Sequence, residues 1–310
     1  MFTSDDLRFV AALSRASSLA AAARELQVTP SAVTQRLQEL ERRAGLRLVD
    51  RSSRRIALTS EGELLAGCGA RIAADLAGLG DELAARRGVV AGHLRILAPF
   101  GFGRRWLAPI TGRFCRDHPE VRIELVLSDR FDRIPDASWD LAVHIGELRA
   151  SSLEVHQLAP NDRIVCAAPR LLERFGTPCK PADLRDLPCL ALRENDEDVT
   201  LWRFTDGNGS TTRVRIEPRL SCNDGEVIRG WAVDGYGFIA RSEWSVHDDL
   251  QAGRLLRVLT DDRMPAAPVV ALVGAQNRRT ARTSVMLRYL QDALTPTPWR
   301  QPRGDRAVPI

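Results

Sequence analysis

Long apolar runs are absent from this sequence of 310 residues, in which no stretch approaches the ~18 consecutive apolar residues of a membrane-spanning helix. Its N-terminus, MFTSDDLRFV, lacks the basic segment followed by an apolar one that marks a secretory signal, so we expect a cytoplasmic protein. Apolar residues at 44% and charged residues at 27% are typical of globular domains, and the length favours more than one domain. Composition therefore argues against a membrane-embedded or an intrinsically disordered chain.

Metal-binding cysteine patterns are also missing, because no C-x-x-C pair occurs and no histidine stands at the spacing of a zinc site. We expect buried, reduced thiols and no bound metal. A redox-sensing pair among the scattered cysteines stays open as the alternative. The cysteines are Cys68, Cys115, Cys166, Cys179, Cys189 and Cys222.

Enzyme motifs are lacking as well: the chain has no Walker phosphate loop and no G-x-S-x-G nucleophile elbow. Residues 235–240 match a dinucleotide fingerprint in spacing, but they follow a predicted helix and enter a strand, which is the reverse of the required order. We therefore expect no catalytic residue, no cofactor and no enzymatic activity.

The net charge of +4 is small, but it is concentrated at one end of the chain. Residues 1–58 hold ten arginines and six acidic side chains, which leaves 34 basic and 34 acidic side chains of the totals of 44 and 40. A small cationic unit suits phosphate binding, because released counterions drive association with DNA. Chance clustering in a short segment would give the same count, so the charge needs support from local structure.

Three short helices are predicted in this cationic unit. The first covers residues 4–14, and the second follows Ser17 and Ser18 as LAAAAREL. The third opens with Thr29 as its N-cap and Pro30 in its first turn, where the missing N–H of proline costs nothing.

The third helix has an apolar and a polar face. Val33, Leu37 and Leu40 recur at helical spacing and are expected to pack inward. The opposite face carries short side chains that can hydrogen-bond base edges in a major groove, as a recognition helix must, although a solvated face would look similar. These side chains are Ser31, Thr34, Gln35 and Gln38.

Two short extended pieces follow Gly45 around a turn that carries several arginines. A ribbon tipped with arginine beside a recognition helix can grip phosphates or enter the minor groove. The order of these elements predicts an all-α winged helix-turn-helix over residues 1–58 that binds double-stranded DNA. The predicted DNA-binding residues are Ser17, Ser18, Pro30, Ser31, Thr34, Gln35, Gln38, Arg51, Arg54 and Arg55.

A long linker helix is predicted over residues 59–89, opening with a capping box at Ser60 and Glu63. Apolar side chains recur every three or four residues along one side, as they do between coiled-coil partners. We expect two chains to pair through this seam, and packing against the C-terminal part of the same chain is the alternative. The seam consists of Leu65, Cys68, Ile72, Leu76, Leu79 and Leu83.

Strand and helix patterns alternate after residue 92, which predicts an α/β unit with a largely parallel sheet. Small ligands of such sheets bind at the carboxyl ends of strands. The tail over residues 296–310 is rich in proline and is expected to be poorly ordered. The predicted strands are 94–98, 121–127, 140–145, 163–168 and 269–273, and the predicted helices are 104–115, 224–233 and 280–294.

The N-terminal motifs resemble the signature of LysR-type transcriptional regulators. The A-A-x-x-L motif of that family matches residues 22–26, its S-A-V-S/T motif matches 31–34, and its L-T-x-x-G motif matches 58–62. The family's L-E-x-x-x-G-x-x-L-F-x-R motif matches residues 40–51, with Val49 where the family usually has phenylalanine. C-terminal segments such as HLRILAPFGFGRR and DLAVHIGEL resemble LysR effector domains less strictly.

This resemblance implies a periplasmic-binding-protein-like effector domain over residues 90–300. Its first lobe would cover about 92–162 plus 266–295, and its second lobe would cover about 163–265. The resemblance also implies a homodimer through the linker helix, assembled further into a homotetramer. A small-molecule effector, an organic acid or another metabolite, would bind between the lobes.

Candidate effector contacts lie at strand ends around the implied cleft. The loop 99–103 enters a helix, so its N–H groups could hold an anion. His144 stands where related sequences commonly carry arginine, and this weaker charge speaks against a strongly anionic effector. The predicted effector-binding residues are Pro99, Phe100, Gly101, Phe102, Ser128, His144, Asn223 and Asp224.

Two functions are therefore compared. The first is a sequence-specific regulator that binds promoter DNA and responds to an effector. The alternative is a non-specific architectural DNA-binding protein without effector response, which would not need a neutral domain of about 200 residues.

Overall fold

The computed structural model describes residues 2–16, 18–50, 57–69, 72, 80, 90–129, 139–146, 148, 153–193, 199–274 and 280–301. The chain forms two compact units, which divide between residues 89 and 90, with residues 279–281 grouped with the first. No helix within the described ranges is long and apolar enough to cross a membrane.

The first unit has the predicted order of three helices, a β-ribbon and a further helix. Its core is formed by apolar side chains from all three helices, including Phe9, Leu13, Val33 and Leu40. The elements are α1 (Ser4–Arg15), α2 (Leu19–Glu25), α3 (Pro30–Ala44), β1 (Val49–Asp50), β2 (Ala57–Leu58) and α4 (residues 60–69). The predicted winged helix-turn-helix is confirmed.

Helix α4 begins one residue earlier in the sequence pattern than predicted. The hydroxyl of Thr59 accepts the N–H of Gly62 at 3.1 Å, so Thr59 caps the helix and the capping box expected at Ser60 is wrong. The first seam residue, Leu65, packs against the core of this unit, whereas Ile72 is 46% exposed in the single chain. The remaining seam residues, Leu76, Leu79 and Leu83, lie outside the described residues.

The second unit begins with a mixed five-stranded sheet, which defines the first lobe. Strand β3 pairs in parallel with β4 and β5, whereas β14 runs antiparallel to both β5 and β6. The largely parallel sheet expected from the sequence is therefore only half correct. The strand order is β4-β3-β5-β14-β6, with β3 (Gly92–Ala98), β4 (Val121–Leu127), β5 (Leu141–Ile145), β6 (Glu154–Ala159) and β14 (Val269–Val273).

The second lobe contains the strands between residues 163 and 258. Strand β7 lies between β12 and β13 and is antiparallel to both, while β8 pairs in parallel with β11 and β9 forms a hairpin with β10. The strands are β7 (Arg163–Ala167), β8 (Leu190–Leu192), β9 (Leu201–Thr205), β10 (Thr211–Arg215), β11 (Leu220–Cys222), β12 (Ile239–Ser242) and β13 (Leu256–Val258).

Helices cover both lobes, and the three predicted from the sequence are present. The helix after β3 is longer than predicted: it runs from Phe100–Phe102 through a π-helical turn, Gly103–Leu107, into Ala108–Asp117. The other helices are Pro169–Phe175, Gly225–Val233, Glu243–Gln251 and Ala281–Ala293, with short 3-10 turns at Pro181–Arg185 and Pro298–Arg300.

The first residues of the tail are packed against the fold, so the poorly ordered tail expected from residue 296 is wrong for this part. Trp299 is only 2% exposed, and its ring contacts those of Phe102 and Trp106 edge-on at centroid distances of 6.1 and 5.2 Å. A large aromatic ring of this kind anchors a chain end despite the surrounding prolines. Residues 302–310 lie outside the described residues.

The cysteines are less uniformly buried than predicted. Cys166 and Cys189 are buried, and burial raises the pKa of each thiol to about 12, which makes them poor nucleophiles. Cys179 is exposed and the other three are half-buried, so the expectation of six buried thiols is wrong for four of them. All six thiols are free.

Candidate DNA interface and effector cavity

Helix α3 presents the polar face that the sequence predicts. The Thr29 hydroxyl accepts the N–H of Ala32 at 3.3 Å, and Gly45 ends the helix with a φ of +67°. Val33, Leu37 and Leu40 are buried beneath α3, which leaves Ser31, Gln35 and Gln38 exposed. This geometry gives base-reading side chains a rigid support.

Thr34 and Ser18 have backbone partners that limit their roles. Half-buried Thr34 donates its hydroxyl proton to the carbonyl of Pro30 at 3.0 Å, so its oxygen remains an acceptor for a base. The hydroxyl of Ser18 accepts the N–H of Ala21 at 3.1 Å and caps α2. Ser17 and the wing arginines Arg51, Arg54 and Arg55 lie outside the described residues.

The recognition helix, the wing and the linker helix are joined by short polar contacts. Glu41 near the end of α3 accepts the N–H groups of Leu48 and Val49 at 2.9 and 3.3 Å, which fixes the first strand of the wing. The Thr59 hydroxyl donates to the carbonyl of Arg47 at 2.7 Å. A side chain at Gly62 would collide with the Leu48 carbonyl, so only glycine permits this approach of α4.

A cavity of about 510 Å³ lies between the two lobes of the second unit. Pro99, Asp129 and His144 line it from the first lobe. The second lobe contributes three arginines together with apolar side chains that include Trp202. Its size is that of a typical small-molecule site, about 300–1,000 Å³.

The predicted effector residues are only partly brought together. Pro99 and His144 line the cavity, and Phe100 contributes its backbone rather than its 42% exposed ring. Gly101 instead packs against Trp244, where an added Cβ would lie 3.0 Å from the indole ring. Phe102 is fully buried in the core of the first lobe, so its side chain faces away from the cavity.

The three remaining candidates are outside the cavity lining. Ser128 donates its backbone N–H to the carbonyl of Ala98 at 2.9 Å as β4 ends. Asn223 is exposed after β11. Asp224 caps the helix Gly225–Val233 by accepting the N–H groups of Glu226 and Val227 at 2.7 and 3.2 Å.

The predicted anion position at the start of the helix after β3 is taken by Asp129. Its carboxylate accepts the N–H of Phe100 at 3.0 Å, so the chain supplies its own anion at this helix N-terminus. Burial raises the pKa of Asp129, and the neighbouring Asp224 carboxylate adds to this, against the opposing effects of the Phe100 N–H and of Arg241 and Arg104.

Two consecutive arginines on the π-helical turn reach from the first lobe to the second. Arg104 pairs with Asp224 at 3.1 Å, and Arg105 forms a short ion pair with Asp248. Burial works in the opposite direction, but the N–H groups of the helix and the Arg104 guanidinium lower the pKa of Asp224. The pairs therefore bridge the lobes beside the cavity.

The crossing between the lobes is fixed by buried polar contacts and by the tail. Asn161 is buried and donates its side-chain amide to the carbonyl of Ala267 at 2.7 Å, which joins the two crossing segments. Arg300 bonds Asp162 at 2.9 Å and Glu243 at 2.8 Å. The indole N–H of Trp299 donates to the carbonyl of Pro160 at 3.2 Å.

Sequence reasoning missed the cavity arginines Arg163, Arg203 and Arg241. Arg163 starts β7 and Arg241 stands near the end of β12, and antiparallel pairing places Arg163 opposite Ser242. Arg203 comes from the β9 hairpin. The rule used in the sequence analysis, which searches only carboxyl ends of parallel strands, could find none of this set.

Comparison with known proteins agrees with both units. Residues 4–63 match the family model described as bacterial regulatory helix-turn-helix protein, lysR family, and residues 87–295 match the LysR substrate binding domain. The chain is 33% identical over 287 residues to the HTH-type transcriptional regulator DmlR of Escherichia coli (strain K12), with 93% of each chain covered.

Solved structures show the same fold along nearly the whole chain. CrgA, a LysR-type transcriptional regulator from Neisseria meningitidis, superposes with a TM-score of 0.60 at 26% identity, covering 95% of this chain and 99% of CrgA. The Vibrio cholerae virulence activator AphB gives a TM-score of 0.61 at 22% identity, covering 93% and 98%, and supports the fold alone. Together with the matched motifs and the two units, these likenesses show that the chain belongs to the LysR family of transcriptional regulators.

Proposed function

We propose that this regulator binds specific promoter DNA and that a small-molecule effector in the interlobe cavity controls this binding. The observation that carries the proposal is that the cavity is lined from both lobes. A ligand that touches both lobes has different contacts in their open and closed arrangements, and only such a difference can shift the equilibrium between them.

The proposed DNA contacts are those of α3 and of the wing. Ser31, Gln35 and Gln38 are exposed on α3, and Thr34 keeps an acceptor lone pair, so these side chains would read base edges. Ser17, Ser18 and Pro30 at the helix starts, with Arg51, Arg54 and Arg55 in the wing, would hold phosphates.

Assembly through the linker helix over residues 59–89 is part of the same proposal. Two chains paired through its apolar seam would place two recognition helices on a dyad-symmetric site. A tetramer would hold two such pairs on one promoter. The exposed Ile72 is the described seam residue best placed to contact a partner.

The base-reading part is tested by replacing Thr34 and Gln35 with alanine. Binding to the protein's own promoter fragment should weaken by about tenfold or more, whereas binding to random-sequence DNA should change little. The exposed Ser14 on α1, replaced by alanine, is the matched control and should alter neither. Equal losses on both DNA sequences would argue against base reading by this face.

The effector-response part is tested on the full chain with a metabolite library. A ligand that raises the melting temperature should also change the affinity for the promoter fragment, because the two are linked. The competing architectural function predicts no ligand effect and equal affinity for promoter and random DNA.

A further inference from the structure

We infer that the effector is a small dianion, such as a dicarboxylate, held by Arg163, Arg203 and Arg241 of the second lobe. This inference rests on the proposed role of the cavity as the effector site. It reverses the expectation drawn from His144, because the cavity has cations that the sequence analysis did not place there.

The charge balance of the lining gives the ligand charge. Three arginines and one carboxylate, Asp129, are the ionised side chains of the described lining, which leaves a surplus of two positive charges if His144 is neutral. Residues 194–198, next to the lining residue Val199, lie outside this count. A ligand with two negative charges neutralises the surplus, and partly desolvated charges are stable only when they are neutralised.

Two of the arginines have charge to offer a ligand. Within the part of the chain that the structure describes, Arg163 and Arg203 have no carboxylate within 4.0 Å, although Arg104, Arg105 and Arg300 around the same site are all ion-paired. Both side chains are exposed toward solvent in the empty protein. They can therefore turn to an anion without breaking an existing ion pair.

Arg241 is already fixed. It is buried at 6% exposure, and one of its guanidinium nitrogens donates to the Ser245 hydroxyl at 3.0 Å. Gly225 leaves room for it, since a Cβ there would lie 2.9 Å from the central guanidinium carbon. A positioned guanidinium offers a planar fork for a carboxylate with little loss of side-chain entropy.

The two walls differ in charge, and this sets the orientation. The carboxylates of the ligand face the arginines of the second lobe, because Asp129 on the first lobe repels them. Asp129 and His144 are left for the uncharged part of the ligand, where a carboxylate accepts a hydrogen bond from any hydroxyl present.

The test is isothermal titration calorimetry on the full chain with matched probes. Malonate, succinate and glutarate are the dianions, butyrate is the monoanion, succinamide is the neutral probe and putrescine is the cation. At least one dianion should bind about tenfold or more tightly than the other three probes. The same dianion should change the affinity for the promoter fragment.

Variants locate the binding. Arg163→Gln and Arg203→Gln should each weaken dianion binding about tenfold, whereas Asp129→Asn should strengthen it by removing a like charge. Arg257→Gln is the control, because Arg257 is exposed on β13 of the same lobe and outside the cavity. All four melting curves without ligand should match the parent closely enough to show folding.

Each other outcome decides against the inference in its own way. If no dianion binds, or if the arginine variants leave its affinity unchanged, the dianion assignment is wrong. If a neutral or cationic compound then binds and alters promoter affinity, the proposed effector function stands with a different ligand class. If no compound of the library alters promoter affinity, both proposals are wrong.

Discussion

Replacing Trp299 by alanine should strongly destabilise the second unit, although the residue lies in a short tail turn. Its indole ring is 2% exposed and packs edge-on against Phe102 and Trp106. Its N–H donates to the carbonyl of Pro160, at the crossing between the lobes. Removal of the ring would empty a site that the surrounding rings cannot fill without moving.

The size of the effect follows from the contacts. Truncation of a buried tryptophan to alanine costs about 3–5 kcal/mol in a packed core. For a unit of about 200 residues, each kcal/mol lowers the melting temperature by about 2–4 °C, so the expected fall is about 6–20 °C. Trp299→Phe keeps most of the ring contact but loses the hydrogen bond to Pro160, and should cost about 1–2 kcal/mol.

Differential scanning calorimetry of the full chain is the assay, because it can separate the transitions of the two units. Tyr236→Ala is the matched control: that aromatic side chain is 59% exposed in the same unit, and its removal should change stability by less than about 0.5 kcal/mol. A loss below about 1 kcal/mol for Trp299→Ala would refute the argument that the tail turn is part of the core.

Three further outcomes follow from the described contacts. Gly62→Ala should destabilise the first unit by about 1–3 kcal/mol through its collision with the Leu48 carbonyl, whereas Gly67→Ala on the same helix, with open space around it, should be neutral or stabilising in chemical denaturation. Because burial raises the pKa of Asp129 in the folded state, its contribution to stability should improve as the pH falls from about 7 to 4, and Asp129→Asn should flatten that part of the titration. Asp224 has a lowered pKa despite partial burial, owing to its helix N–H partners and Arg104, so its stabilising contribution should be lost as the pH falls below about 4, and Asp224→Asn should destabilise near neutral pH but not in acid.

Local sequence was sufficient for the elements whose pattern is complete within a few residues. Thr29, Pro30 and Gly45 determine where α3 starts and stops through capping and a left-handed turn, and the spacing of Val33 and Leu37 determines which face is buried. Strands β4 and β14 were predicted with the correct bounds because their apolar residues are continuous or alternate cleanly.

Contacts between distant segments could not be predicted in this way. The sequence pattern does not reveal that β14 runs antiparallel to β5, or that Asp129 would take the helix N-terminus proposed for a ligand. Arg163 and Arg241 meet only because β7 and β12 pair antiparallel, and Trp299 looks like part of a polar, proline-rich end until its aromatic neighbours are known.

The close approach of Gly62 to Leu48 has a mechanical consequence for the first unit. Glu41 holds the wing strand from one side, and the Thr59 hydroxyl holds the Arg47 carbonyl from the other. The wing and the start of α4 therefore have no slack between them, and α4 acts as a lever arm on the wing. A rotation of the linker helix by a few degrees would be transmitted to the wing as torque against the DNA backbone instead of being absorbed by a flexible joint.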